Sequence, residues 1–399
     1  MRAKAIARLA FDCALAVACV VVIVVVWPLR YVRHKVSGSQ LNSLWAGTPI
    51  INMATNAKAE RLLGVNAKSL VYTTYFITDA FDHDLSAWTR IPLIGRVVPL
   101  FVFIWACFFA DRFHFYCDRG ILPCRGHFAF DYTELYVYRL LGIPVLLWTY
   151  GADIRNEATC RAMGEPNCCS RCDRRGAYCV CDPIVAMRKM ARLKSLSSAM
   201  FAGIGDMFGY TPGSRDDAYF WPIDLAADGG ERYRPYFPDP LRREPLRIAH
   251  ASNHRRFKGT NDLIRAVEAL KAEGVQIELV LVEGIPNREA LKIYRLADAI
   301  FDQCLMGNYG YFALEAMALG KPVMCFVRKP DEYLLHPEEC PIINTHVDTL
   351  RDDLRQLVQR RHELGEIGRR GRRYIERHFS LEAFADRLGR AYRDLGIMP

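Results

Sequence analysis

The sequence contains no internal repeat and no low-complexity segment, which sets aside solenoid architectures and disordered tails. It also lacks any helix-turn-helix, zinc-finger or RNA-binding sheet pattern. Its formal net charge of +9 therefore has no nucleic-acid signature to go with it, and no nucleic-acid partner is expected. Long apolar runs are scarce. After the one at the amino terminus, the next, Val97 to Ala110, is short for a bilayer span and suits a buried or interfacial helix. No small-x-small cleavage site follows the first run, which argues against a removable signal peptide.

The 399 residues leave room for two domains of ordinary size plus an extra segment. With 51% apolar and 24% charged residues, the composition is that of a folded chain rather than a disordered one. The first apolar run, Leu9 to Trp27, is broken only by Asp12 and is just long enough to cross a membrane. Residues 1–35 are thus expected to form an uncleaved single-pass anchor. Arg2, Lys4 and Arg8 precede the run and Arg30, Arg33 and Lys35 follow it, so charge leaves the orientation open. The arginines at 369, 370, 372 and 373 read as a solvated helix face.

Beyond the anchor, strand-like and helical runs alternate, which implies parallel strands joined by crossover helices. In residues 36–228, Pro49–Met53, Ser69–Phe76, Phe113–Tyr116, Pro144–Thr149, Ser198–Gly203 and Asp217–Ile223 read as strands. Residues 229–245, rich in Gly, Pro and Arg, read as a linker. A second alternating series fills 246–399 and ends in helices, with Ser380 as an N-cap. The fold class is therefore α/β, two Rossmann-like domains facing a cleft, behind a transmembrane helix.

The most telling stretch is GNYGYFALEAMALGKPVMCFV, residues 307–327. A Gly-bearing loop enters a helix that carries Glu315 and stops at Gly320, before an apolar strand. Free amides at a helix start attract phosphate, and a nearby carboxylate can accept hydrogen bonds from ribose hydroxyls. The same order also suits an ordinary loop-helix-strand unit with a Gly C-cap. HASNHRRFKGTNDLIRAVEAL (250–270), LADAIFDQCLMGNYGYFALEAMALGKPV (296–323) and IGRRGRRYIERHFSLEAFADRLGRAY (367–392) together resemble the retaining glycosyltransferases of the GT-B fold, family four above all. DRFHFYCDRGILP and PVLLWTYGADIR resemble, more loosely, the acceptor-side domain of bacterial surface-polysaccharide enzymes.

The resemblance implies a sugar transfer from a nucleoside-diphosphate sugar, with retention, to a lipid-linked or polysaccharide acceptor. It places Lys258, with Arg255 or Arg256, on the donor diphosphate and Glu315 on the ribose. Asn308, Tyr309, Gly310 and Tyr311 would turn their amides to the phosphates, and Asp153 would face the cleft from the first domain, with Arg155 a further candidate. No cofactor is required for transfer, and the globular part is expected on the cytoplasmic side. The sequence departs from the family pattern at two points. Gly307 stands where a second glutamate is usual, with Asp302 a substitute, and Thr149–Asp153 holds no His, with His114 the nearest alternative. A nucleotide-sugar epimerase or a binding protein without turnover would share this fold.

Six of the 14 cysteines crowd into a polar, Arg-rich insertion at 157–182. Cys169-x-x-Cys172 and Cys179-x-Cys181 form two close pairs, which suggests a structural zinc held by those four thiolates. An iron–sulfur cluster, disulfides or plain thiols are the other readings.

Overall fold

The computed structural model describes the chain apart from residues 1, 37–39, 76, 77, 79, 125, 127, 220, 242, 243, 253 and 399, and apart from the side chains of residues 2–7. Phe76, Phe220 and Asn253, which fall within expected strands and motifs, lie outside the described residues.

Two parallel sheets form the scaffold. The first runs β1 (Asn42–Ala46), β2 (Asn66–Val71), β3 (His83–Asp84), β4 (Arg112–Tyr116), β5 (Val145–Trp148) and β6 (Ala199–Phe201), in the order 3-2-1-4-5-6. The second runs β7 (Leu246–Ala251), β8 (Ile277–Val282), β9 (Ala299–Gln303), β10 (Val323–Cys325) and β11 (Ile343–Asn344), in the order 11-10-9-7-8. Helices cover both faces of such sheets, so the central strands are buried along their whole length, as in RFHFY, VLLW and AIFDQ. Each order reverses once, between β1 and β4 and between β7 and β9. In open parallel sheets, ligands bind at that reversal, beyond the carboxyl ends of the strands.

One expected strand is corrected. Pro49–Met53 is a turn leading into the helix Met53–Arg61, and the strand lies earlier, at Asn42–Ala46. Leu44 and Trp45 are the residues the sheet buries, and Gly47 ends the strand at φ +110, where a Cβ would lie 2.6 Å from the Arg119 carbonyl oxygen. Asp217–Ile223 likewise forms no strand among the described residues. The last helix, Leu381–Asp394, capped by Ser380, crosses back to pack on Met53–Arg61 of the first layer. The Tyr392 hydroxyl donates to Glu60 there at 2.6 Å.

The amino-terminal helix extends through Val36, with a widened π turn at Val22–Val26. Its Arg8–Val36 portion, 29 residues with a mean hydropathy of 2.9 over its most apolar window, is long and apolar enough to cross a membrane. It packs against the helix Ile94–Phe109. Arg30 and Arg33 close that helix's carboxyl end: Arg33 donates to the Phe109 carbonyl at 2.7 Å, and Arg30 pairs with Asp111 at 2.9 Å. Cations belong at that end because the last carbonyls lack partners and carry partial negative charge.

Candidate functional site

The carboxyl ends of the two sheets face one cavity of about 410 Å³. The second layer supplies Lys258, Asn287, Tyr311 and Glu315, and the first supplies Ile51, Tyr150 and Arg155. Its size lies within the roughly 300–1,000 Å³ usual for small-molecule clefts.

Lys258 ends a single helical turn, Arg255–Lys258, just beyond β7. Gly259 then takes φ +74, a conformation that suits glycine, and its missing Cβ would lie 2.3 Å from Cys304 Sγ. The chain can turn into the next helix only with no side chain there. Lys258 Nζ donates to Asp302 Oδ1 at 2.7 Å, and the Gly310 amide donates to Asp302 Oδ2 at 2.6 Å. Asp302, fully buried on β9, thus fixes both the lysine and the start of the helix Tyr311–Ala318. Behind them, His250 bridges the layer's core. The Phe301 carbonyl can only accept, so Nδ1 carries the proton, and Nε2 accepts from the Thr260 hydroxyl at 2.7 Å. Burial and the neighbouring Lys258 push His250 down to about 4, so it is neutral.

Glu315 faces the cavity from the helix's second turn. Tyr233 Oη–H and Asn287 Nδ2–H both donate to its Oε1, at 3.0 and 2.9 Å. Burial pushes its carboxyl up to about 7, and those two donors hold it from going higher. Neither partner was anticipated. Asn287 opens the helix Asn287–Leu296 that follows β8, at the end of that helix facing the cavity, but Tyr233 lies in the stretch read as linker and gave no signal.

The remaining donor candidates scatter. Arg255 forms a two-point pair with Glu283 at 2.7 and 2.6 Å, and Arg256 reaches Asp173 at 3.3 Å; neither lines the cavity. Asn308 is buried, with its side-chain oxygen on the Tyr309 amide and its Nδ2 on Asp206. Tyr309 packs its ring near Trp221, and its buried hydroxyl has no hydrogen-bond partner among the described residues. The Tyr309 and Gly310 amides are therefore already engaged, and Gly310 has an ordinary φ of −98. A Cβ on Gly310 would point at Asp302 and, 3.9 Å away, Lys258 Nζ, so its absence keeps the lysine open to the cavity. Gly307 takes φ +90, and a Cβ added there would lie 3.1 Å from the Arg328 guanidinium.

In the first layer, Asp153 is fully buried and does not line the cavity. Its carboxylate accepts from the amides of Tyr150, Gly151 and Cys117, and burial raises it to about 7. Its place is to shape the loop that carries Tyr150 and Arg155. Arg155 is the residue that reaches the cavity. Burial opposes its charge, but Cys168, Tyr210, Cys179 and Asp206 around it outweigh that and hold it firmly cationic. His114 is a core residue: it stacks on Trp45 with ring centres 3.8 Å apart, accepts from Trp148 Nε1–H at 2.9 Å and donates to Tyr392 Oη.

The cysteines group differently from their spacing. Among the described residues the sulfurs of Cys160, Cys168 and Cys169 lie within 4.8 Å of one another, whereas Cys172, Cys179 and Cys181 make no such group. Only Cys169 of the four expected ligands belongs to the trio.

No protein-family profile matches this sequence, and no curated protein matches it. Solved structures do. The chain superposes on a sucrose-phosphate synthase from Thermosynechococcus elongatus with a TM-score of 0.56 at 11% identity, over 90% of this chain and 99% of that one. It superposes on a UDP-forming α,α-trehalose-phosphate synthase from Burkholderia xenovorans with a TM-score of 0.54 at 9% identity, over 90% and 100%. The lipopolysaccharide outer core galactosyltransferase WaaB follows at 0.50 and 10% identity, over 89% and 99%. At such identities the likeness is one of fold, and that fold is the two-layer GT-B arrangement.

Proposed function

We propose that this protein is a membrane-anchored glycosyltransferase that moves a sugar from a nucleoside-diphosphate sugar to a hydroxyl of a lipid-linked or polysaccharide acceptor, with retention. One observation carries the reading: a buried carboxylate, Glu315, and a carboxylate-held lysine, Lys258, line one cavity at the second sheet's reversal point, with Arg155 on the opposite wall. Glu315 presents a carboxylate to the ribose hydroxyls. Lys258, Arg155 and the opening amides of Tyr311–Ala318 surround the place of the diphosphate. As the anomeric carbon–oxygen bond to the diphosphate breaks, the acceptor oxygen bonds to that carbon and its proton passes to the departing phosphate. Positive groups fixed in advance around the leaving phosphate stabilise the growing charge, commonly the largest catalytic contribution. No resident cofactor is required for this step.

The apolar amino-terminal helix supports membrane attachment. Phe101, Trp105 and Phe108 on the neighbouring helix are also exposed, and they extend the apolar surface beside it. Because Arg30 and Arg33 dock on the globular part, the carboxyl flank of the anchor lies on the side of the two sheets, taken here as the cytoplasmic side.

The test is a panel of labelled nucleoside-diphosphate sugars given to the detergent-solubilised chain with lipid and glycan acceptors. Nucleotide release with label in the acceptor is the expected result. Conversion of the donor to its epimer, or binding without release, would replace this reading.

A further inference from the structure

We infer that Cys160, Cys168 and Cys169, rather than the set Cys169, Cys172, Cys179 and Cys181, bind a zinc-class divalent cation whose role is to clasp the first layer to the second. In a tetrahedral thiolate site the sulfurs stand about 2.3 Å from zinc and hence about 3.8 Å from each other. Cys160 Sγ and Cys168 Sγ are 3.7 Å apart, and all three sulfurs fall within 4.8 Å. A disulfide needs about 2.05 Å. Cys160 and Cys168 are buried and Cys169 half-buried, so the site is shielded as a structural metal site is. The other cluster of metal-ligating side chains among the described residues, His336 with Glu338 and Glu339, lies largely exposed on the surface.

The surroundings complete the site. Asn167 Oδ1 lies 3.7 Å from Cys160 Sγ while accepting from the Ser170 amide at 2.9 Å, and its second lone pair, or a water, would take the fourth corner. Three thiolates around a divalent cation leave one net negative charge, and the buried Arg155 guanidinium beside Cys168 balances it. The insertion has no hydrophobic core of its own, yet it touches both layers. Cys181 N–H donates to the Arg155 carbonyl, Arg328 of the second layer donates to the carbonyls of Gly164 and Pro166, and Arg171 and Arg256 span to Asp262 and Asp173. A metal that fixes residues 160–169 therefore fixes Arg155 on one side and Arg328 on the other. The consequence for Arg155 rests on the donor-site reading above; the metal does not.

The experiment measures metal in the full-length, detergent-solubilised protein purified under reducing conditions, with no sugar donor present, so failure of the transferase reading leaves it untouched. About one zinc per chain is expected. Cys160→Ser, Cys168→Ser and Cys169→Ser should each lose it, while Cys172→Ser and Cys179→Ser retain it. If the trio variants fail to fold, cobalt exchanged into the wild-type protein decides: a tetrahedral spectrum with the sulfur-to-metal intensity of three thiolates supports the site. Metal-free protein with all three thiols reactive, a Cys160–Cys168 disulfide in the mass spectrum, or a four-thiolate cobalt signature would each overturn it.

Discussion

Two cations meet at the same cavity, and opposite walls hold them by different chemistry. Lys258 belongs to the second sheet's own framework: it follows β7 directly, and its partner Asp302 lies on the adjacent strand β9. Arg155 belongs to a loop. Its backbone is tied to Gly151 and Cys181, and its head is buried among thiols and a tyrosine in a segment without a core. The second wall is therefore set by sheet geometry, which any folded state of that layer preserves. The first wall depends on how the cysteine-rich insertion closes.

The largest effect that sharpens this contrast comes from Lys258→Met. Loss of a fixed charge at the leaving group is expected to lower turnover by about 10²–10³-fold. It also leaves Asp302 buried without its cation, at a cost to stability of about 3–5 kcal/mol. Adding Asp302→Asn should restore most of the melting temperature but none of the turnover. Recovery of turnover in the double variant would show that the lysine charge is not used in the reaction.

Next in size is a pH dependence written into Glu315. Its folded value, about 7, lies above the 4.5 of an ordinary glutamate, and burial is the main cause. Between those values the unfolded chain has lost a proton that the folded chain keeps. Stability therefore falls as pH rises through that window, by on the order of 3 kcal/mol for this group. Asp153 and Asp206, raised to about 7 and about 6, act in the same direction. They are present in both chains, so the difference between wild type and Glu315→Gln isolates residue 315. Thermal unfolding from pH 4.5 to 7.5 should show the shallower slope in the variant; equal slopes would mean that Glu315 is already ionised in the fold.

How legible this was follows from which forces act locally. Alternating apolar runs gave away both sheets, because strands buried on both faces read as near-continuous apolar runs even where Arg112, His114, Asp302 and Gln303 interrupt them. The first strand was misplaced because Ile50 and Ile51 are as apolar as Leu44 and Trp45, and only tertiary packing distinguishes a sheet residue from one lining a cleft. Lys258 and Glu315 could be found because the loop and helix that carry them are continuous in sequence. Asn287 and Tyr233 come from other elements and meet Glu315 only in the folded chain. The cysteine trio was missed for a related reason. Close sequence spacing favoured Cys169 with Cys172, whereas the helix Glu157–Ala162 brings Cys160 back to the vicinal pair.

Arg155 supplies the middle-sized test of the two walls. Arg155→Met should lower turnover by about 10–100-fold, the range for losing a charged hydrogen-bond partner. Arg155→Lys should recover only part, since a point charge cannot face both the thiols and the cavity as a planar guanidinium does. Nucleotide affinity, which the proposed function assigns mainly to the second wall, should change less than turnover. A matched loss in both would place the two walls on an equal footing and break the contrast.

The smallest effect concerns Gly307, where the family resemblance would have a second glutamate beside the sugar. Its φ of +90 makes any side chain strained, at about 1 kcal/mol for alanine. Its Cβ would also stand 3.1 Å from Arg328 Nε and Nη2, and that guanidinium is tied to Gly164 and Pro166 of the insertion. A glutamate at 307 would therefore reach Arg328, not the space near Glu315. Gly307→Glu should leave nucleotide affinity within about twofold of wild type while loosening the brace between the insertion and the second layer. Hydrogen exchange at residues 160–169 would report that loosening. A tenfold gain in donor affinity instead would mean that the pocket accepts the second glutamate, and that the carboxylate at Asp302, now devoted to Lys258, does not stand in for it.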